Sequence, residues 1–301
     1  MGGIIWLASY PKSGNTWMRA YLHNLLRNPP KPASINELDK FCLGESASIW
    51  FVGPAHGDVG PRDPMTLTAE EAMARRPVAH HLMTRVSKDS VFAKTHNMLG
   101  EWKDHPLHNM SVTAGGIYVV RNPLDVVLSM VDHFGVDIDG AIDRLSDTNA
   151  VTDLSADHVP EYHGSWSLHV DSWTGQPNPQ LHVVRYEDLE QKPFKTFLGV
   201  AKFLGLNPPK ERVNKAIKFA SFKELKKQEQ TGGFKERSEH ADSFFGRGKS
   251  GNWRNVLSDE QVTRICTDHG AMMDKFGYLP KSHKQLASSA QGPASDSGAS
   301  A

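Results

Sequence analysis

An apolar run followed at once by a turn and a helical pattern is the feature that most constrains this chain. Residues 4–8 are apolar and include two adjacent isoleucines, which is typical of a short buried strand. Pro11 and Gly14 then predict a turn, and a helical pattern begins near Trp17. The sequence therefore predicts a strand, a tight turn and a helix in direct succession.

The predicted turn has the composition of an anion-binding loop. The first N–H groups of a helix lack intrahelical partners and lie at the positive end of the helix dipole. Gly14 lets the backbone approach a ligand closely, and Lys12 adds a full positive charge. Short polar side chains supply further hydrogen bonds: Ser13, Asn15 and Thr16. An ordinary capped turn would have a similar composition, so this loop alone leaves the function open.

A second strand-to-helix junction lies in the middle of the chain. Residues 116–120 form another apolar run that ends at Arg121, with Asn122 as a good N-cap and Pro123 as a good first helical residue. Ser129 follows Asn122 by seven residues, nearly two helical turns, so it returns to the same helix face. Arg121 and Ser129 are therefore expected to reach one ligand, and a ligand of both junctions would carry two separate anionic groups.

Both junctions resemble motifs of the cytosolic-type sulfotransferase family. Residues 10–17 are similar to the Tyr-Pro-Lys-Ser-Gly-Thr-Thr-Trp loop that binds the 5′-phosphosulfate of PAPS (3′-phosphoadenosine 5′-phosphosulfate), with Asn15 in place of the first Thr. Arg121 and Ser129 are similar to the family's Arg and Ser, eight residues apart, that bind the 3′-phosphate. The resemblance implies a P-loop-like phosphosulfate-binding loop.

Four further segments extend the resemblance to about residue 279. Residues 93–96 resemble a strand end whose His is the catalytic base, and residues 184–189 resemble a Tyr-Glu-Asp-Leu segment near adenine. Residues 221–226 resemble a Ser-Phe segment that contacts adenine, and residues 247–253 resemble a box that clamps the 3′-phosphate. The resemblance implies donor contacts by Ser13, Gly14, Asn15, Thr16, Trp17, Arg121, Ser129, Tyr186, Ser221, Phe222, Arg247, Gly248 and Lys249.

The last of these segments departs from the family pattern. Gly246 stands where the family places Arg, Arg247 where it has Lys, and Asn252 where it has Asp. The clamp is therefore expected to depend on Arg247 and the Gly248 backbone, with Lys249 compensating. The Lys-x-x-x-Thr-Val-x-x-x-Glu run by which many members dimerise does not follow this box, so the sequence predicts no particular oligomeric state.

The resemblance implies in-line transfer of a sulfuryl group from PAPS to a hydroxyl (or amine), releasing adenosine 3′,5′-bisphosphate without a metal. His96 is the expected general base, because neutral imidazole accepts a proton near pH 7. Lys12 is expected to neutralise charge on the leaving phosphate, assisted by Lys94. Trp17 is expected to stack on adenine, although a core aromatic would fit the same position.

Two other functions share part of this pattern. A nucleoside-triphosphate kinase or NTPase would carry Gly-x-x-x-x-Gly-Lys-Ser/Thr, but here Lys12 precedes Gly14. A non-catalytic nucleotide-binding protein of the same fold would explain the altered box around Arg247, whereas Lys12 and His96 argue for catalysis. Sulfonation followed by elimination is a chemical variant of the transferase.

Composition limits the partners and the location. The formal net charge is 0 and the pI is about 7.3, so no global field favours nucleic acid or a membrane surface. No apolar run approaches the roughly 18 residues that span a bilayer. Two cysteines far apart, Cys42 and Cys266, suggest reduced thiols. The sequence thus predicts a cytoplasmic protein that binds neither nucleic acid nor membrane.

The overall pattern predicts one α/β domain. Strand signals at 3–8, 91–95, 117–120 and 181–185 alternate with helical patterns, which indicates a mainly parallel sheet flanked by helices. We expect the domain to span 1–280, followed by a disordered tail at 281–301. Aperiodic segments at 41–64 and 228–246 are candidates for the substrate rim. Aromatic residues in the first of them favour a lipophilic small-molecule alcohol or phenol over a glycan as acceptor, although they would fit a core equally well: Phe41, Trp50 and Phe51.

Overall fold

A five-stranded parallel sheet forms the centre of the protein. The computed structural model describes residues 2–246 and 248–287. The strand order is β2-β3-β1-β6-β7, and every neighbouring pair is parallel. The strands of the chain are β1 (Ile4–Ser9), β2 (Cys42–Gly44), β3 (Val91–Thr95), the short antiparallel pair β4 (Glu101–Trp102) and β5 (His105–Pro106), β6 (Thr113–Val120) and β7 (Leu181–Arg185).

Helices cover both faces of this sheet. They are α1 (Asn15–Arg27), α2 (Leu38–Phe41), α3 (Ala69–Met83), α4 (Pro123–Phe134), α5 (Ile138–Ser146), α6 (Trp166–Thr174), α7 (Tyr186–Gln191), α8 (Pro193–Phe203), α9 (Lys210–Phe219), α10 (Phe222–Gly232) and α11 (Asp259–Lys275). Capping boxes at Thr68 and Ser258 open α3 and α11. Within residues 2–246 and 248–287, no helix has the length and apolar character required to cross a bilayer.

The sheet separates two apolar cores. Successive strand residues point to opposite faces, so in β1 Trp6 joins the core formed with α4, α5, α6 and α11, while Leu7 joins the core formed with α1, α8, α9 and α10. A strand buried on both faces must be apolar throughout. The predicted single-domain α/β fold with a mainly parallel sheet flanked by helices is therefore confirmed.

Three strands bring their carboxyl ends together at one edge of the sheet. In register, Ala8 pairs with Thr95 of β3, and Ser9 pairs with Val119 of β6. The loops that follow β1, β3 and β6 consequently emerge side by side, which is where ligands bind in open α/β sheets.

The end of the described chain packs on the last long helix. Lys281–Ala287 forms a 3-10 helix, and the Thr263 hydroxyl of α11 lies 3.1 Å from Nε2 of His283. The remainder of the predicted tail, 288–301, lies outside the described residues. The domain boundary at 280 stays a prediction.

Candidate active site

The turn after β1 is a loop that only a few residue types can form. Lys12 and Gly14 both have positive φ, 65° and 106°, and the Ser13 N–H donates to the Tyr10 carbonyl at 3.2 Å. A Cβ on Gly14 would lie 2.6 Å from Cδ2 of Tyr186. Glycine is thus required at position 14 both by the backbone conformation and by the ring packed against it.

Arg121 joins the two strand-to-helix junctions. Its Nη1 donates to the Lys12 carbonyl at 3.0 Å and to Oγ of Ser129 at 3.2 Å. The guanidinium also lies over the Tyr186 ring, 4.3 Å from its centroid. The two junctions that the sequence singled out therefore meet at one place, as expected from their positions on neighbouring strands.

A cavity of about 280 Å³ extends across this edge of the sheet. Twelve of the sequence-predicted residues line it: Lys12, Gly14, Asn15, Thr16, Trp17, Lys94, His96, Arg121, Ser129, Tyr186, Phe222 and Gly248. The structure thus gathers residues from six separate segments of the chain around a single space.

Three predicted donor-binding residues do not line the cavity. Ser13 is buried in the loop backbone and does not line the cavity, and the Ser221 hydroxyl caps α10 by accepting from the Glu224 N–H at 3.4 Å. The Lys249 side chain is exposed and also lies outside the lining. Arg247 lies outside the described residues.

Several buried polar atoms at the cavity have no hydrogen-bond partner among residues 2–246 and 248–287. They include Nε1 of Trp17, Nε of Arg121, Oδ1 of Asn15 and Nε2 of His163. A buried donor without a partner costs free energy, so such atoms are normally satisfied by protein, water or ligand. Unpaired donors beside a helix N-terminus fit an anionic ligand.

His96 is held in one tautomer. Its Nδ1 lies 2.7 Å from the Ser9 carbonyl oxygen, which can only accept, so Nδ1 carries the hydrogen and Nε2 keeps its lone pair. Burial, together with the charge of Lys94, lowers the pKa of His96 to about 4. At neutral pH this imidazole is uncharged and able to accept a proton at Nε2.

The positive charges of the cavity are only partly paired. Burial, aided by Arg121 and Lys94, lowers the pKa of Lys12 to about 8, and Nζ of Lys12 lies 4.0 Å from the centroid of the Phe244 ring. The Glu236 carboxylate lies 3.7 Å from Lys94 and 2.6 Å from Arg19. Crowded, desolvated cations of this kind favour an anionic ligand.

Sequence reasoning missed three carboxylates that line the cavity: Asp132 of α4, Glu161 and Glu236. Glu236 belongs to the aperiodic segment after α10. Glu161 lies in a loop 65 residues after His96, and its carboxylate accepts from the backbone N–H of His96 at 2.9 Å. His163 also lines the cavity beside them. Glu161 and Glu236 come from irregular segments, so no periodicity or spacing marked them in advance.

The C-terminal box is tied to the start of α4. The Gly251 and Trp253 N–H groups donate to the two carboxylate oxygens of Asp125, at 2.7 and 3.3 Å. The Asn252 amide donates to the Lys249 carbonyl at 2.8 Å. A Cβ on Gly248 would lie 2.3 Å from Cζ of Phe222, so this glycine packs directly on the ring.

The aromatic residues that led us to expect a lipophilic acceptor do not line the cavity. Phe51 is fully buried in a third apolar cluster, Phe41 stacks on His23, and Nε1 of Trp50 donates to the Gly44 carbonyl. None of the three lines the cavity. In the part of the chain that the structure describes, no group of three or more His, Cys, Asp and Glu side chains could hold a metal ion.

Comparison with known proteins identifies the family. The sulfotransferase domain family matches residues 4–277. Sulfotransferase 1A1 of Rattus norvegicus is 25% identical over 277 residues, covering 89% of this chain and 83% of the relative. Cytosolic sulfotransferase 17 of Arabidopsis thaliana is 26% identical, over 91% of this chain and 75% of the relative.

Solved structures support the same fold. Mouse sulfotransferase SULT7A1 complexed with PAP has a TM-score of 0.57 at 19% identity, over 92% of this chain and 89% of the mouse chain. Retinol dehydratase in complex with androsterone and PAP has a TM-score of 0.61 at 17% identity, over 90% and 80%. The family predicted from the motifs is confirmed, and the chain belongs to the sulfotransferase domain family.

Proposed function

We propose that this sulfotransferase transfers a sulfuryl group from PAPS to a hydroxyl of a small-molecule acceptor and releases adenosine 3′,5′-bisphosphate. The observation that carries the proposal is the joining of two anion-binding junctions, through the 3.0 Å hydrogen bond from Arg121 to Lys12, in a cavity that also contains His96. Nothing in the comparisons favours a kinase, an NTPase or a non-catalytic nucleotide-binding protein.

The donor is held at both of its anionic ends. The loop around Lys12, with the first N–H groups of α1, receives the 5′-phosphosulfate. Arg121 and Ser129, 3.2 Å apart, receive the 3′-phosphate, and the unpaired Nε of Arg121 gives this guanidinium a further donor. PAPS supplies the activated sulfuryl group, and no metal is proposed.

The adenine packs against aromatic side chains in this proposal. Trp17, Tyr186 and Phe222 line the cavity, and the Trp17 and Tyr186 ring centroids are 5.3 Å apart. Stacking of a base on such a side chain contributes about 1–3 kcal/mol. Ser221 instead supports the base indirectly, by capping the helix that carries Phe222.

His96 is the proposed general base. The Ser9 carbonyl fixes the hydrogen on Nδ1, so Nε2 accepts the proton of the attacking hydroxyl. Lys12 stabilises the negative charge that develops on the leaving phosphate, and Lys94 stabilises the sulfuryl oxygens. Fixed donors that face developing charge in a desolvated site account for much of the rate in such transfers.

The small-molecule class of the acceptor is consistent with retinol dehydratase, whose structure contains androsterone. We propose a cytoplasmic location, since the Arabidopsis relative is named a cytosolic sulfotransferase and both cysteines here are free and buried. The lipophilic or phenolic character predicted for the acceptor is not supported by the positions of Phe41, Trp50 and Phe51, which lie outside the cavity.

Two measurements test the proposal. Isothermal titration calorimetry with adenosine 3′,5′-bisphosphate should show binding at one site, and the same titration with AMP should be much weaker because the 3′-phosphate is missing. Transfer from ³⁵S-labelled PAPS to a panel of alcohols, phenols and amines should release the bisphosphate without added metal. Absence of bisphosphate binding, or Mg²⁺-dependent ATP turnover in its place, would refute the proposal.

A further inference from the structure

One wall of the cavity, next to His96, is made of polar side chains. Three chain segments contribute to it, and they are joined by the isolated bridges between Ala47 and His158 and between Val151 and Tyr162. The side chains of this polar wall are Ser46, Thr152, His158, Glu161 and His163.

The polar wall is held in place by hydrogen bonds that do not involve a ligand. The Val159 N–H donates to the Ser46 carbonyl at 2.8 Å, and the Glu161 N–H donates to the Thr152 hydroxyl at 2.8 Å. Behind it, the buried Asn97 side chain accepts from the Tyr162 N–H at 2.7 Å. The wall is therefore organised before any acceptor binds, which is what selective recognition requires.

Glu161 places a negative charge beside the proposed base. Burial alone would raise its pKa, but His96, His163 and Lys94 outweigh burial and lower the pKa to about 2. An ionised carboxylate opposes the binding of a donor that carries several negative charges. Its Oε1 already accepts from the backbone N–H of His96, and the remaining lone pairs of the carboxylate are available to a hydrogen-bond donor on the acceptor.

His163 is the second group of the polar wall that lies close to His96. It is 4% exposed, its ring centroid lies 6.3 Å from that of His96, and its Nε2 has no hydrogen-bond partner among the described residues. Burial lowers its pKa to about 3, so the ring is neutral at pH 7 and offers one N–H and one lone pair. A buried polar group without a protein partner is satisfied by water or by a ligand, and this ring lines the cavity next to the proposed base.

We propose that the acceptor carries a second hydrogen-bonding group, a hydroxyl or an ammonium, next to the hydroxyl that receives the sulfuryl group, and that Glu161 and His163 bind this second group. The inference rests on the proposed function of the same site. In the reaction, the acceptor oxygen bonds to sulfur, its proton passes to Nε2 of His96, and the sulfur–oxygen bond to the phosphate breaks with its electron pair on the leaving oxygen. The second group is unchanged.

This assignment makes the enzyme selective against lipophilic alcohols with one polar group. Such a molecule would cover Glu161 and His163 without pairing them, and sites that hydrogen-bond a substrate group strongly reject analogues that lack it. Diols and amino alcohols both carry a hydrogen-bond donor beside the reacting oxygen. The negative charge of Glu161 distinguishes them, because an ammonium is charged and a hydroxyl is not.

Three acceptors with one ring test the inference: cyclohexanol, trans-1,2-cyclohexanediol and trans-2-aminocyclohexanol, each with PAPS and with bisphosphate release as the readout. We expect kcat/KM for the diol or the amino alcohol to exceed that for cyclohexanol by about tenfold or more. Glu161→Gln should abolish a preference for the amino alcohol but only weaken one for the diol. His163→Phe should reduce either preference, measured as the ratio of kcat/KM for the favoured acceptor to kcat/KM for cyclohexanol.

Controls separate recognition from folding and from the proposed function. His163→Gln keeps a polar group and should restore part of the preference, while His81→Phe and Glu101→Gln alter exposed residues away from the cavity and should change nothing. Melting temperatures of all variants should be compared. The inference is overturned if the protein binds the bisphosphate but uses the three acceptors equally, uses cyclohexanol alone, or uses none of them. Donor binding would remain intact in each of these cases. Absence of bisphosphate binding refutes the proposed function itself.

Discussion

Nη1 of Arg121 donates a hydrogen bond to the backbone carbonyl of Lys12, 3.0 Å away, across 109 residues of sequence. The carbonyl belongs to a residue with positive φ, so the bond fixes the loop in a conformation that non-glycine residues rarely adopt. The same guanidinium contacts Ser129, so one side chain sets the distance between the two anion-binding junctions.

Replacing Arg121 should weaken donor binding at both junctions. Hydrogen bonds to charged groups contribute about 1.5–3 kcal/mol each, so Arg121→Met should raise the Kd for adenosine 3′,5′-bisphosphate by about 10-fold to 100-fold. Calorimetry measures this directly. Arg85→Met, which alters an exposed arginine away from the cavity, is the matched control and should bind normally.

Removing His96 should affect the chemical step more than donor binding. His96→Ala should reduce kcat by about 10²–10⁴-fold while leaving the Kd for the bisphosphate nearly unchanged, because the ring acts on the acceptor proton. Stopped-assay kinetics and calorimetry separate the two effects. An unchanged kcat would contradict the assignment, and His81→Ala is an exposed control.

The pH dependence of kcat/KM should have two limbs. His96 must be uncharged to act as the base, so activity should rise with pH through its pKa of about 4. Lys12 must be charged, so activity should fall as pH rises through its pKa of about 8. Between these values the rate should stay level. Lys12→Arg, if it retains activity, should move the alkaline limb upward, because guanidinium stays protonated. An alkaline limb that does not move would assign it to another group.

The buried charge of Glu45 should be essential for stability. Its carboxylate accepts from Arg76, from Nε2 of His80 at 3.0 Å and from the Asn97 amide at 2.8 Å, and both Glu45 and Arg76 are fully buried. Glu45→Ala leaves Arg76 buried without its counter-charge, so the free energy of unfolding should fall by about 3–5 kcal/mol. Urea unfolding measures it.

A double variant checks the cause of that loss. Glu45→Leu with Arg76→Met removes both charges and should recover part of the stability, since replacing a whole buried pair is far less costly than removing one partner. Glu101→Ala, an exposed carboxylate, should stay within about 0.5 kcal/mol of the parent. Equal losses in the single and the double variant would contradict the electrostatic explanation.

The parts of the fold that sequence predicted best are those with local signals. The apolar runs of β1, β3 and β7 and the capping boxes at Thr68 and Ser258 specify their elements from neighbouring residues alone. Strand β2 has only three residues and follows a helix of four, which is too short for any periodicity to appear. It is held by its pairing with β3, a contact that no local pattern encodes.

The residues of the site also fall into those with a local sequence signal and those without one. Lys12, Gly14, Arg121 and Ser129 belong to fixed spacings around strand ends, so the sequence alone placed them together. Glu161 and Glu236 reach the cavity from irregular loops through contacts with residues far away in sequence. Aromatic residues in an aperiodic loop were ambiguous for the opposite reason, since Phe51 fits a core as well as a pocket and the fold uses it in a core.

The attachment of Gly251 and Trp253 to Asp125 has a consequence for biosynthesis. The two partners of the carboxylate lie 126 and 128 residues downstream of it. A nascent chain that has emerged from the ribosome only through α10 already possesses the loop around Lys12 and the pair Arg121 and Ser129. It lacks the C-terminal box, which binds Asp125 and contributes Gly248 to the cavity. Affinity for the nucleotide is therefore acquired late, and a capture resin bearing the bisphosphate would retain completed chains in preference to truncated translation products.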